Sequence, residues 1–316
     1  MPRSTQHPIK AHHHPVKLMG CGFVLTAVDR DPQLAWDGIR AGVSEIDRVE
    51  RLISSWKSDT VTHQINENAG IRPVSTPPEL IQLIQRSLRI SELTRGAFDI
   101  SGTLSRYYYQ FDKQEHAPLP IHKLAELRDL IDFRAIEVDE GAGTVFLRKK
   151  GMKIGFGGIG KGYAAYRAHI VMQQMGIQSG MINASGDLMC WGDPPKAEGW
   201  EVYLPDPEDR KSPILFLTIP NGSVVTSGNH ENYTLVNGKR LSHIVDPRTA
   251  LPVEGLQTVS VICPNPEFAD ALATGISVMG AKAGIELVDH LQGVECVLID
   301  AQNNRYVSKN LQELAA

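Results

Sequence analysis

No stretch of this 316-residue chain approaches the roughly 20 apolar residues needed to cross a bilayer. Residues 1–16 are basic and histidine-rich but lack the apolar core of a secretory signal. The chain as it stands is therefore expected in the cytoplasm, with a periplasmic location the alternative if an export signal has been lost. The four cysteines, Cys21, Cys190, Cys263 and Cys296, are scattered and form no C-x-x-C pair. They read as free, mostly strand-borne thiols of a reducing compartment, not as a disulfide frame or a cysteine zinc site. A net charge of −4 gives no electrostatic case for nucleic acid or an anionic membrane as partner. No 20–50-residue repeat and no low-complexity linker is present.

What is present in excess is glycine in one place. Gly155, Gly157, Gly158, Gly160 and Gly162 fall within eight residues that also hold Lys161. Gly155, Gly157 and Gly160 match G-x-G-x-x-G, while Gly155, Gly160 and Lys161 match most of a P-loop. The P-loop needs Ser or Thr next and finds Gly162. The Rossmann reading needs a βαβ opening, whereas this run follows a hairpin-like stretch in mid-chain. What remains is bare amides and a cation beside a helix start, suited to phosphate oxygens. Its alternative is a tight turn that needs glycine for shape alone.

The patterning predicts a strand over residues 18–28 and a helix opened by Asp31 and Pro32, with Ile39, Val43, Ile46, Val49 and Ile53 on its buried stripe. Thr76 to Glu79 reads as a capping box opening a second helix that buries Leu80, Leu83, Ile84 and Leu88. Further helices are expected over 120–130, 163–175, 266–279 and 281–291. A hairpin is expected over 136–138 and 144–148, and strands over 179–183, 200–204, 214–219, 223–226, 258–263 and 296–300. Helices and antiparallel-looking strands in mixed order predict an α+β fold, not a Rossmann fold, as one interwoven domain over 17–316 behind a loosely ordered tail at 1–16.

Polar residues that interrupt apolar patterns mark candidate chemistry. Asp270 and Thr274 stand at i, i+4 among alanines, so both oxygens leave one helix face. That pair suits a hard cation such as Mg2+, or else reflects helix packing with a dipole partner. His243 can act as a base oriented by Asp246, or Asp246 can make an Asx-turn with Pro247. Thr226, Ser227, Gly228 and Asn229 form a small hydrogen-bonding cluster after an apolar strand, and Gly96, Ala97, Phe98 and Asp99 close a helix. Trp56 can pack on a ring ligand or cap the core. His12, His13 and His14 read as solvated linker rather than a metal site.

Taken in order, these segments resemble the FAD:protein FMN transferases, the ApbE-type flavin transferases. The resemblance runs through Met19-Gly20, Ser55-Trp56 with Asp59 and Asn66, residues 96–101, the glycine run through Ala164, residues 183–187, 226–228, 243–249 and 269–274. It implies an ApbE-like, T-fold-related α+β domain with mixed and antiparallel sheets and flanking helices. It also implies transfer of the FMN half of FAD to a Ser or Thr hydroxyl of an acceptor flavoprotein, with Mg2+ on the pyrophosphate and AMP released. On this chain it implies Asp270, Thr274 and a main-chain oxygen at Gly158 as metal ligands. It implies Met19, Trp56, Ala97, Phe98, Asp99, Lys161, Asp187 and Ile244 as FAD contacts, and His243 as the catalytic residue beside the reacting phosphate.

Four positions depart from the family pattern. Gly155 stands where an aspartate often opens the glycine run, Ser185-Gly186 where two glycines are usual, Ala250 where a glycine is usual, and Asp59-Thr60-Val61 where Asp-Ser-Glu is usual. They bear on FAD contact more than on the metal ligands. Alternative readings are a metal-dependent FAD pyrophosphatase giving FMN and AMP, and a non-catalytic FAD-binding protein.

Overall fold

The described chain opens on a β-hairpin, where the sequence predicts a tail and a single strand. Lys10–Leu18 pairs antiparallel with Cys21–Asp29, in register from Lys10 opposite Asp29 to Leu18 opposite Cys21. The two-residue turn, Met19 (φ 51°) and Gly20 (φ 76°), has both residues left-handed, the geometry that matches strand twist in tight hairpins. Residues 18–28 are thus split by a turn that an unbroken apolar pattern conceals. A computed structural model describes residues 8–112, 114–206, 213–228 and 233–314. Of the expected tail at 1–16, residues 1–7 lie outside the described residues, and most of the remainder is strand.

The chain forms two compact units, each assembled from separate stretches: residues 1–50, 161–225 and 262–269 in the first, 51–160, 226–261 and 270–316 in the second. The chain path is interwoven, as the mixed order of elements predicts, and the fold is α+β.

In the first unit, the hairpin continues antiparallel into Ser179–Ala184, then Asp187–Trp191, then Gly222–Gly228. Two helices, Pro32–Ile53 and Gly160–Gln174, accompany these strands. Asp31 caps the first, its Oδ1 accepting from Gln33 N at 2.9 Å, and Pro32 occupies the first helical position. Ile39, Ile46, Val49 and Ile53 of its stripe are buried; Val43 is only partly so. A Cβ on Gly42 would lie 2.8 Å from Leu25 Cδ2 and 3.0 Å from Met172 Sδ, so this helix touches both the hairpin and the second helix there. Trp191 is buried, and its Nε1 donates to Ile177 O at 3.1 Å. Trp200–Pro205 and Pro213–Ile219 form a separate antiparallel ladder.

The second unit is built on short elements. Val61–Glu67, Pro78–Leu93 and Ile121–Leu130 are helical, and Ile100–Tyr107 is a 3-10 helix. A three-stranded sheet places Thr144–Leu147 between Val74–Ser75 and Ile136–Asp139. The expected capping box at Thr76 does not form: Thr76 Oγ1 donates to Val74 O at 2.9 Å, and Pro77 caps the helix. A residue preceding proline is pushed out of the α region, so Pro77, followed by Pro78, delays the helix by one position. Toward the C-terminus, Glu295–Asp300 pairs with Arg305–Val307, and Ala281–Asp289 and Lys309–Leu314 are helical. The four cysteines lie on strands, as expected, and none is in a disulfide among the described residues. No helix among the described residues is long and apolar enough to cross a membrane.

Gly180 marks the tightest approach in the first unit. A Cβ there would lie 2.5 Å from Thr26 O and 2.5 Å from Trp191 Cζ2. Backbone oxygen cannot retreat as a flexible side chain can, so Gly180→Ala should lose about 3 kcal/mol to overpacking. Urea denaturation measures it; a loss below about 0.5 kcal/mol would contradict this packing.

Candidate active site

The helix Pro266–Met279 is started by Asn265, whose Oδ1 accepts from Glu267 N at 2.8 Å and Phe268 N at 3.3 Å. Its interior is walled by fully buried Ala269, Ala271, Leu272 and Ala273. Asp270 is buried at 3% exposure, and Thr274 follows one turn later, partly exposed. Hydroxyls inside helices ordinarily bond back to the carbonyl four residues earlier. Ser87, Ser91 and Ser277 do so at 2.8, 3.0 and 2.8 Å. Thr274 does not, and its hydroxyl has no hydrogen-bond partner among the described residues.

What faces Thr274 is the glycine run. A Cβ on Gly158 would lie 2.9 Å from Thr274 Oγ1 and 3.2 Å from its Cγ2. Gly158 therefore brings bare backbone against this hydroxyl, joining two of the three expected metal ligands in the second unit. The run is held from behind by Asn66, buried at 4% exposure. Its Nδ2 donates to Ile154 O at 2.9 Å, and its Oδ1 accepts from Ile154 N at 2.7 Å. One amide side chain thus imitates a strand partner for the residue preceding Gly155. Gly157 and Gly158 amides donate to no acceptor among the described residues, while Gly160 N donates to Phe156 O at 2.7 Å as the helix begins.

Gly155 has its own reason. A Cβ there would meet Thr103 Oγ1 at 2.6 Å, so Thr103 fills the space an aspartate side chain would need. Nothing local in sequence marks Thr103, 52 positions away in numbering, as that partner.

Asp99 caps the 3-10 helix. Its Oδ1 accepts from Ser101 N and Ser101 Oγ, each at 2.7 Å, and its Oδ2 accepts from Phe133 N at 2.9 Å. Burial pushes its pKa up to about 6 against the pull of these bonds, and neighbouring Asp132 adds to the rise. Ala97 and Phe98 are buried at 1% and 2% exposure, with Phe98 N donating to Thr94 Oγ1 at 3.0 Å. A Cβ on Gly275 would lie 3.3 Å from Phe98 Cβ, so these side chains belong to the packing beside Thr274. Trp56 is 61% exposed and stacks on Tyr107 at 5.1 Å and 21°.

Ile244 is buried, its N–H donating to Ser242 Oγ at 3.0 Å and its carbonyl accepting from Val253 N at 2.9 Å. His243, beside it, is partly exposed. Asp246 is open to two readings, as the orienter of His243 or as a turn-former with Pro247. It takes the turn reading: its Oδ1 accepts from Arg248 N and Nε, each at 2.9 Å, and its Oδ2 from Arg248 Nη2 at 2.8 Å. A bidentate guanidinium is the stronger partner for a carboxylate. Thr226 Oγ1 and Ser260 Oγ hydrogen-bond at 2.8 Å, which ties the start of the 226–229 cluster to a neighbouring strand; Asn229 lies outside the described residues.

In the first unit, Lys161 and Asp187 form an ion pair, the lysine one-third exposed and the carboxylate buried. Met19 N donates to Glu50 Oε2 at 2.7 Å, fixing the hairpin turn. Ser185 is left-handed at φ 55°, and its hydroxyl accepts from Gly22 N at 3.2 Å and donates to Gly22 O at 3.1 Å. Among the described residues, no group of three His, Cys, Asp or Glu side chains is placed to hold a metal. Any ion at Asp270 must therefore draw on hydroxyl and carbonyl oxygens.

The sequence profile of the ApbE family matches residues 19–298. The chain belongs to the ApbE family. It is 30% identical over 290 residues to the FAD:protein FMN transferase of Klebsiella pneumoniae (strain 342), covering 90% of this chain and 82% of that protein. The solved structure of the ApbE protein from Thermotoga maritima superposes with a TM-score of 0.88 at 24% identity, over 96% of this chain and 99% of that one. The flavinyl transferase ApbE of Pseudomonas stutzeri, in its apo form, gives 0.85 at 21% identity, over 99% and 98% of the two chains. These two structural likenesses establish the ApbE fold for this chain.

Two measurements check the geometry. Asn66→Ala leaves a buried N–H and C=O of Ile154 unpaired, which should destabilise the protein by about 3 kcal/mol; a loss under about 1 kcal/mol in thermal or urea unfolding would contradict the assignment. For Asp99, the folded pKa lies above the ordinary 3.8. The folded state then holds a proton that the unfolded state releases, so the group's contribution falls as pH rises through 3.8 to about 6. Carboxyl NMR should place its midpoint near 6, and a midpoint below 4 would refute it.

Proposed function

We propose that this chain transfers the FMN half of FAD to a Ser or Thr hydroxyl of an acceptor flavoprotein, releasing AMP, in a Mg2+-dependent reaction. The observation that carries the metal-dependent step is Thr274, an unpartnered hydroxyl held against the bare backbone of Gly158 and one turn from buried Asp270. Carboxylate, hydroxyl and carbonyl form an all-oxygen donor set, which suits a hard cation and disfavours zinc or copper. Asp270, Thr274 and the Gly158 carbonyl would hold Mg2+. When bound, that ion supplies positive charge to the pyrophosphate of FAD.

The remaining work falls to the chain's own groups. The amides of Gly157 and Gly158, without acceptors among the described residues, donate to phosphate oxygens. Lys161, held by Asp187, and the exposed ring of Trp56 contribute to FAD binding, as does the turn at Met19. Ala97, Phe98 and Ile244 act through position and backbone, because their side chains are buried. His243 takes the proton from the acceptor hydroxyl as its oxygen attacks phosphorus. The phosphoanhydride bond breaks, and AMP leaves with the bridging oxygen. Such transfers ask mainly for positioning and charge from the protein.

Incubation with FAD, Mg2+ and a flavoprotein acceptor should give an FMN-bearing acceptor in intact mass spectra. AMP and FMN released without any adduct would replace transfer by pyrophosphate hydrolysis. Thr274→Val preserves shape while removing one donor, so it should raise the Mg2+ concentration for half-maximal transfer at least tenfold and recover at high Mg2+. Asp270→Asn should cut transfer by at least a hundredfold. An unchanged Mg2+ requirement in both would remove these residues from the metal site.

A further inference from the structure

We propose that His12 and His14 form a two-nitrogen site for a borderline divalent cation of the Cu2+, Ni2+ or Zn2+ kind, with Trp36 as its wall. Residues two apart on a strand share a face, and their Cα atoms lie about 6.6 Å apart. Two imidazoles rooted at that spacing can lean onto one ion with metal–nitrogen bonds of about 2.0–2.1 Å. Both rings stand edge-on to the same indole, with centroids 6.0 and 6.2 Å from Trp36 at interplanar angles of 68° and 83°. Trp36 therefore gathers the two imidazoles on one side of the strand Lys10–Leu18.

His13 is excluded by the same periodicity. It points to the opposite face, where its Nδ1 lies 2.9 Å from Thr26 Oγ1. Across the hairpin, His12 and His14 face Ala27 and Leu25, which offer no competing donor. With no third His, Cys, Asp or Glu placed to join them among the described residues, water completes the coordination. Neutral imidazole nitrogens select along the divalent series toward Cu2+, whereas the oxygen set at Asp270 and Thr274 selects Mg2+. The two donor sets thus sort different ions, and this site does not rest on the proposed transfer reaction.

The full chain, free of FAD and Mg2+, is titrated with CuCl2 while tryptophan emission and calorimetric heat are followed. Saturable quenching with one calorimetric site is expected. His12→Gln and His14→Gln should each weaken binding at least tenfold, and the double variant should abolish that site, while His13→Gln binds as wild type. Trp36→Phe should keep the calorimetric site and lose most of the quenching. Circular dichroism confirms that each variant is folded. Equal binding by wild type and the double variant, or a loss in His13→Gln as large as in His12→Gln, would overturn the assignment.

Discussion

A methyl group added at position 158 would sit 2.9 Å from the Thr274 hydroxyl, closer than side-chain carbons ordinarily approach oxygen. Glycine is required there for space, and neighbouring contacts in the second unit flank that approach. Asn66 holds the residue before the run through paired hydrogen bonds to Ile154. Gly275 lets Phe98 come within 3.3 Å of where its own Cβ would be, packing the helix beside Thr274. For the proposed role of Thr274, its hydroxyl must stay unsatisfied within the protein so that an ion could satisfy it, which rigid neighbours favour.

The departures from the family pattern carry local compensations. Ala250 is left-handed at φ 60°, which costs a residue with a Cβ about 1 kcal/mol. Its methyl is fully buried in a cluster with Leu104, Tyr109, Leu127, Ile131 and Val245, and about 0.8 kcal/mol of methyl burial offsets most of that strain. Ser185, also left-handed, clamps both backbone groups of Gly22 with its hydroxyl. Gly155 makes room for Thr103. Each position lacks the usual residue, and each has a neighbour that absorbs the change.

Long elements with a cap and a repeated apolar spacing were readable from sequence. The helix Pro266–Met279 matches its expected bounds: Pro266 stands at its first position, and the residues after it are mostly apolar. Val74–Ser75 and Val245–Asp246 are too short to show any period. The seven-residue helix Val61–Glu67 has one clear signal, Thr60 accepting from His63 N at 3.1 Å, and no amphipathic length to support it. Asp270 and Thr274 were legible because i, i+4 spacing fixes a shared helix face. Thr103 and Tyr107 were not, because their partners are distant in sequence. The histidine run, expected as linker, lies in the strand Lys10–Leu18, because three adjacent identical residues hide the alternation a strand imposes.

The proposed Mg2+ site rests on the oxygen donors around Thr274 in the second unit. Anomalous scattering from crystals soaked in Mn2+, a substitute for Mg2+, tests that directly. One ion is expected within about 2.3 Å of an Asp270 carboxylate oxygen, the Thr274 hydroxyl and the Gly158 carbonyl. An ion bound elsewhere, with Thr274 untouched, would contradict it.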